Sequence, residues 1–226
     1  MTKTLVITTM TVLLAGLVTF GLGNTSVFAA SNLVANGSFE DISDTCSGNF
    51  NTLGSGNTAI SGWTVGGVSI DWICNYWQTD DGNRSLDLSG LSTGSVTQDI
   101  ATQAGKVYVL TFAMAGNTDG GNLVKSMTVS ADSTSADYTF DTTGKSRSNM
   151  GWEHNTMMFV AEDDSTTLTF SSNEANPYGP ALDNVSVEEY GDKKIDVCHK
   201  GKNTINISVS AVPAHIAHGD TLGPCQ

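Results

Sequence analysis

Lys106-Val107-Tyr108-Val109-Leu110-Thr111-Phe112-Ala113-Met114 decides how this chain folds. Tyr108, Leu110, Phe112 and Met114 fall on alternate positions, the period of a pleated strand and not of a helix. Thr166-Thr167-Leu168-Thr169-Phe170 repeats the pattern with Leu168 and Phe170. Working outward, the same reading predicts strands at Ser69–Ile73, Ser85–Leu88, Ser95–Ile100, Lys125–Ser130, Tyr138–Phe140, Met157–Ala161 and Leu182–Glu188. Between them lie turn-forming runs such as Asn117-Thr118-Asp119-Gly120-Gly121-Asn122, Thr142-Thr143-Gly144-Lys145 and Glu162-Asp163-Asp164-Ser165. About ten short strands at near-regular spacing predict two packed antiparallel sheets, with no long helix between Asn32 and Tyr190.

The composition changes at Gly191-Asp192-Lys193-Lys194, and the segment that follows carries three of the four histidines. It predicts strands at Ile195–Cys198 and Thr204–Val209, then a short helix over Ala211–His218 with Ser210 as N-cap and Gly219 as its stop. Such a unit lacks the area for a core of its own. At the other end, Lys3 precedes an apolar run from Leu5 to Leu22, and Val27 and Ala29 are the small residues a signal peptidase prefers. The reading is therefore a signal peptide at 1–29, a sandwich at 30–190 and a small module at 191–226. The run is nearly long enough to span a bilayer, so an uncleaved anchor is the rival. No second apolar stretch follows it. A secreted or cell-surface protein is expected.

The formal net charge is −13. An acidic surface repels phosphate backbones, so nucleic acid is an unsuitable partner. Cys46, Cys74, Cys198 and Cys225 all lie in the exported part, where cysteines pair. Cys46 with Cys74 and Cys198 with Cys225 is the natural arrangement, one bridge per segment. The other two connectivities remain compatible with the sequence.

Catalytic motifs fail their context. Gly90-Leu91-Ser92-Thr93-Gly94 matches G-x-S-x-G, but a strand is expected to follow it where a nucleophile elbow needs a helix. Only His154 in the main domain could serve as its base. Asp80-Asp81-Gly82-Asn83 has the wrong register for an EF-hand and reads as a turn. No feature singles out a carboxylate pair for glycoside hydrolysis. In the tail, His199, His215 and His218 with the two cysteines could hold zinc. Oxidised sulfurs are not thiolate ligands, which favours the disulfide and leaves a histidine-only site as the weaker alternative.

Trp63, Trp72, Tyr76 and Trp77 cluster near the first cysteine pair, and Trp152 and Tyr178 follow later. Sugar rings stack their C–H faces on exposed indoles and phenols, so Tyr76, Trp77, Trp152 and Tyr178 are the candidate glycan-binding residues. Trp72 shares the face of Ile70 and points to the core. Any of these aromatics could equally be core filler.

Two motifs resemble those of known families. Asn36-Gly37-Ser38-Phe39-Glu40 and Leu182-Asp183-Asn184-Val185-Ser186-Val187 are similar to the paired signatures of galactose-binding-like jelly rolls, among them many carbohydrate-binding modules. Val68-Ser69-Ile70-Asp71-Trp72-Ile73, Tyr76-Trp77-Gln78, Asp81-Gly82-Asn83-Arg84-Ser85-Leu86-Asp87-Leu88, Asp141-Thr142-Thr143-Gly144-Lys145-Ser146, Asn149-Met150-Gly151-Trp152 and Gly179-Pro180-Ala181-Leu182-Asp183-Asn184 resemble the choice-of-anchor C family, related to the DUF642 cell-wall proteins of plants. The resemblance covers nearly all of residues 32–188. It implies an all-β antiparallel jelly-roll sandwich whose first and last strands lie side by side. It further implies a structural Ca²⁺ held by Glu40, Asp183 and backbone carbonyls, Gly37 among them. The tail departs from the family's usual sorting signal and looks like a short module found on many exported proteins.

The expectation is thus a non-catalytic extracellular module that binds glycan, with a structural calcium ion. An adhesive or structural envelope protein without a sugar site is the alternative, and an uncharacterised hydrolase a more remote one.

Overall fold

The computed structural model describes residues 31–191 and 193–225; the expected leader lies outside the described residues. The strands are β1 (Phe50–Gly54), β2 (Thr64–Gly67), β3 (Ser69–Ile73), β4 (Ser85–Asp87), β5 (Gly94–Ala101), β6 (Val107–Gly116), β7 (Val124–Ala131), β8 (Thr134–Asp141), β9 (Glu153–Val160), β10 (Ser165–Ser172) and β11 (Pro180–Glu189). They form two antiparallel sheets, β1-β3-β4-β11-β6-β9 and β2-β5-β10-β7-β8. Two antiparallel sheets are what the alternation predicted, and the jelly-roll sandwich is what the family resemblance implied. β1 and β2 were not anticipated, because Asn51 and the Gly66-Gly67 pair dilute their alternation.

The inner faces interdigitate as period two requires. Leu110, Phe112 and Met114 of β6 are fully buried, and so are Leu168 and Phe170 of β10. Phe112 meets Phe170 edge-on across the sandwich at 5.5 Å between ring centroids, and Phe170 meets Trp63 at 6.1 Å. One inward position of β7 breaks the rule: Lys125 aligns with Met127, Val129 and Ala131 and is fully buried. Its Nζ donates to the Gly120 carbonyl at 2.6 Å. Burial lowers its pKa, opposed by Glu174 and Asp87.

Residues 32–40 run beside β11 without being a strand. Leu33 N–H donates to the Val187 carbonyl, and Val185 N–H to the Gly37 carbonyl. Gln98 occupies an inward position of β5 and acts as a surrogate backbone, accepting from Ala35 N–H and donating to its carbonyl. At Gly37 the two chain ends touch so closely that a Cβ would lie 1.9 Å from the Val185 oxygen. Glycine is required there by space alone.

The tail contains β12 (Lys194–His199), β13 (Asn203–Ser208), a 3₁₀ turn at Val209–Ala211, α1 (Val212–Ala217) and β14 (Thr221–Leu222). Its sheet order is β13-β12-β14. Ser210 lies inside the 3₁₀ turn and is not the helix N-cap; Ala211 takes that position, with a proline in the first turn of α1. Val107 of β6 joins Ile195, Val197, Val209 and Val212 in one buried cluster, flanked by Met158 and Val160 of β9. The tail therefore completes its small core against the sandwich. Both expected bridges, Cys46–Cys74 and Cys198–Cys225, are present.

Candidate functional site

Thr52, Asp71 and Asp87 stand in register across β1, β3 and β4, on the face opposite the core residues Ile70, Trp72 and Leu86. Phe50 and Ile73 share that outer face one pleat along. The loops at 74–84, 88–93, 117–123 and 173–179 rise around it and leave a cleft of about 250 Å³. Thr52, Asp71 and Asp87 form its polar floor. Phe50, Tyr76, Leu91 and Tyr178 form its rim, with Asn117 at one side.

The two floor carboxyls are held by different means. Asp71 accepts from Thr52 Oγ1 at 2.6 Å, and burial raises its pKa against that bond. Asp87 is buried and accepts from Asn117 Nδ2 at 2.8 Å, Ser89 N–H at 2.9 Å and Gly179 N–H at 3.0 Å. Burial pushes its pKa up to about 7, with its neighbour Asp71 adding to the rise and the three donors opposing it. A carboxyl poised near neutrality can donate as well as accept.

Tyr76 and Tyr178 are half-buried at the cleft, where the sequence placed glycan-binding residues. The Arg147 guanidinium lies 4.0 Å over the Tyr76 ring and is itself fixed by Asp119, which also accepts from Tyr76 Oη. Burial raises the Asp119 pKa, but the bonds from Arg147 and Tyr76 outweigh it and hold the group low. Phe50 packs against Tyr76 with the two ring planes near perpendicular and their centroids 5.3 Å apart. Trp77, the other glycan-binding candidate of the pair, is buried. It is 7% exposed, and its indole N–H donates to Ser85 Oγ at 2.9 Å, so it belongs to the wall behind the cleft. Trp152 does not line the cleft. Its indole N–H donates to the Gln78 carbonyl and ties two loops together. Sequence reasoning missed Asp71, Asp87 and Asn117, although the strand register alone places the two aspartates opposite each other.

The expected calcium clip does not fit these residues. Asp183 Oδ2 accepts from Asp80 N–H at 2.9 Å and Asp81 N–H at 3.0 Å, and Oδ1 accepts from Asn184 N–H. Glu40 Oε1 accepts from the N–H groups of Asn83 and Arg84. The Gly37 carbonyl accepts from Val185 N–H at 2.9 Å. Both Asp183 oxygens, Glu40 Oε1 and the Gly37 carbonyl are thus met by the positive ends of N–H dipoles, the environment of a held anion. Burial pushes the Asp183 pKa up to about 7, opposed by the bonds from Asp81, Asn184 and Asp80.

The serine motif is not an elbow: Gly94 begins β5, so Ser92 sits in a strand-to-strand turn. His154 projects from β9 into solvent, 3.2 Å from Asp80 Oδ1.

The chain is a disulfide-bonded antiparallel β-sandwich with a candidate site on the outer face of one sheet. The model of the protein of unknown function family DUF642 matches residues 32–188, and the chain belongs to that family. Halomucin of Haloquadratum walsbyi is 37% identical over 166 residues, 71% of this chain; the match spans only 2% of that relative's length. Among solved structures, the chain is similar to TmCBM61 in complex with beta-1,4-galactotriose, with a TM-score of 0.47 and 15% identity over 71% of this chain and 99% of that one. It is also similar to Xyl-CBM35 in complex with a glucuronic acid containing disaccharide, with a TM-score of 0.43 and 17% identity over 60% and 91%.

Proposed function

We propose that the protein is a non-catalytic module that binds a neutral glycan in the cleft above Asp71 and Asp87, outside the cell or on its surface. The observation that carries this is the pairing of an aromatic rim with a hydroxyl-seeking floor. Phe50 and Tyr178 offer apolar surface to the C–H side of a pyranose, with Tyr76 packed behind Phe50 at the rim, while Thr52, Asp71 and Asn117 offer donors and acceptors to its hydroxyls. The net charge of −13 and the acidic floor disfavour uronates and sulfated chains. Two disulfides suit an oxidising compartment, and no described helix is long and apolar enough to cross a membrane.

Affinity electrophoresis against a panel of neutral and acidic polysaccharides tests the reading. Retardation by a neutral chain, weakened by Tyr178→Ala and by Asp71→Asn with the melting temperature kept, is expected. Retardation by none of the panel, or only by acidic chains, would overturn it and favour an adhesive or structural role.

A further inference from the structure

The tail lies beyond the residues matched by the family model, and its chemistry is not absorbed by the cleft. With Cys198 and Cys225 joined, no thiolate remains there. Two histidines and one aspartate converge instead. His199 ends β12 directly after Cys198, His215 lies on α1, and Asp220 follows the positive-φ turn at Gly219. Asp220 Oδ2 is 2.8 Å from His199 Nδ1 and 2.7 Å from His215 Nδ1. The other oxygen, Oδ1, accepts from Lys200 N–H, and Asp220 N–H donates to the His215 carbonyl. The Asp220 side chain is 1% exposed, whereas the two rings keep 33% and 25%. One ligand atom from each residue lies within 4.8 Å of the others, and this is the one such trio of metal-ligating side chains among the described residues.

We propose that His199, His215 and Asp220 form a binding site for a divalent transition-metal ion of the zinc class. Two imidazole nitrogens and one carboxylate oxygen are a donor set that suits zinc and disfavours calcium or magnesium. The residues sit on three separate elements, yet the disulfide at Cys198, the β12–β14 ladder and the helix fix them relative to one another. Only small ring movements separate the present spacing from bonds of about 2.0–2.1 Å to a shared ion. The partly exposed ring edges leave a fourth position open to water. A purely structural role is the competing explanation: two Nδ1–H groups donating to one carboxylate would staple the tail without a metal.

The oxidised full chain, stripped with chelator, incubated with Zn²⁺ and desalted, is analysed for metal by mass spectrometry and for melting temperature. About one zinc per chain is expected, with a raised melting temperature and no titratable thiol. His199→Ala loses both the zinc and the rise, whereas His218→Ala, outside the trio, keeps them. His215→Gln retains an amide donor for Asp220 and so preserves the staple; it should melt like the parent without metal yet fail to retain zinc. Zinc retained undiminished by His199→Ala and His215→Gln, zinc taken up only after reduction of the disulfide, or no zinc retained by the parent would overturn the site.

Discussion

Glu40 and Asp183, at opposite ends of the sandwich sequence, grip one and the same loop: Glu40 holds the N–H groups of Asn83 and Arg84, and Asp183 those of Asp80 and Asp81. Gly82 lies between the two grips at φ +59°, where a Cβ would fall 2.3 Å from Glu40 Oε1. Asn184 completes the arrangement by donating from Nδ2 to Asp80 Oδ2. The chain ends are thus joined through the loop's amides, and the loop in turn carries Tyr76 and Trp77 to the cleft.

The two grips differ in burial, so their removal should differ in cost. Asp183→Ala strands three N–H donors beside a fully buried carboxyl site and is expected to cost about 3 kcal/mol or more. Glu40→Ala leaves donors that water can reach and should cost about 1 kcal/mol. Chelator should leave the urea midpoint of the sandwich unchanged. A chelator-induced drop reversed by calcium, and absent in Glu40→Gln, would restore the ion-mediated clip.

The regular spacing of alternating segments such as Lys106–Met114 was enough to predict two sheets, and the resemblance carried by the motifs at Asn36 and Asp183 implied that the chain ends meet. What each motif residue does was not legible. Asn36 and Phe39 adopt positive φ, and Asn36 cross-links Asp41 and Ser61 through its side chain. These roles depend on loop conformations that no periodicity encodes. Tyr76 and Trp77 are neighbours in sequence and could not be told apart, since one lies on the rim and the other behind it only after the loop folds over β4. The aspartates of the floor were hidden for a simpler reason. Each sits at an outward strand position, where a carboxylate is ordinarily solvated and silent; here loops cover that face.

Asp87 and Asp183 give the folded state a definite pH dependence. Both have folded pKa values of about 7 against 3.8 for an ordinary aspartate. The folded state therefore holds more protons than the unfolded chain between about pH 4 and pH 7. By linkage, their contribution is fully present below about pH 4 and is lost as pH rises through about 7. Stability measured by urea titration should be higher at pH 5 than at pH 7.5, and Asp87→Asn should flatten part of that slope. A stability that rises over the same interval would show that these carboxyls are ionised in the fold.

The aromatic residues should separate into core and rim by their cost. Trp77→Ala removes a buried ring and its bond to Ser85 and is expected to cost about 3–5 kcal/mol. Tyr178→Ala removes a half-buried ring at the cleft and should cost less than half as much. Thermal denaturation of the pair decides this, and equal losses would place Tyr178 in the core and out of the binding surface.

The tail offers the last test, because its attachment combines a bridge with a shared core. Cys198–Cys225 closes a sequence separation of 27 and Cys46–Cys74 one of 28, so chain entropy alone assigns each about 3–4 kcal/mol. The consequences should nevertheless differ. The sandwich has an extensive core of which Cys74 is one member among many, whereas the tail's buried apolar cluster among the described residues is Ile195, Val197, Val209 and Val212 against Val107. With so little apolar area, the tail's folded state depends on its bridge. The double variant Cys198→Ser/Cys225→Ser should therefore lose hydrogen-exchange protection from residue 194 onward while β5 and β10 stay protected. Cys46→Ser/Cys74→Ser should instead lower the midpoint of the sandwich as a whole and leave the tail docked. Exposure of Val107 and Val160 would follow from the tail's release, so protection at the outer face of β6 and β9 should fall in the first variant alone. A tail that stays protected without its bridge would mean that its packing against β6 and β9 is sufficient to hold it.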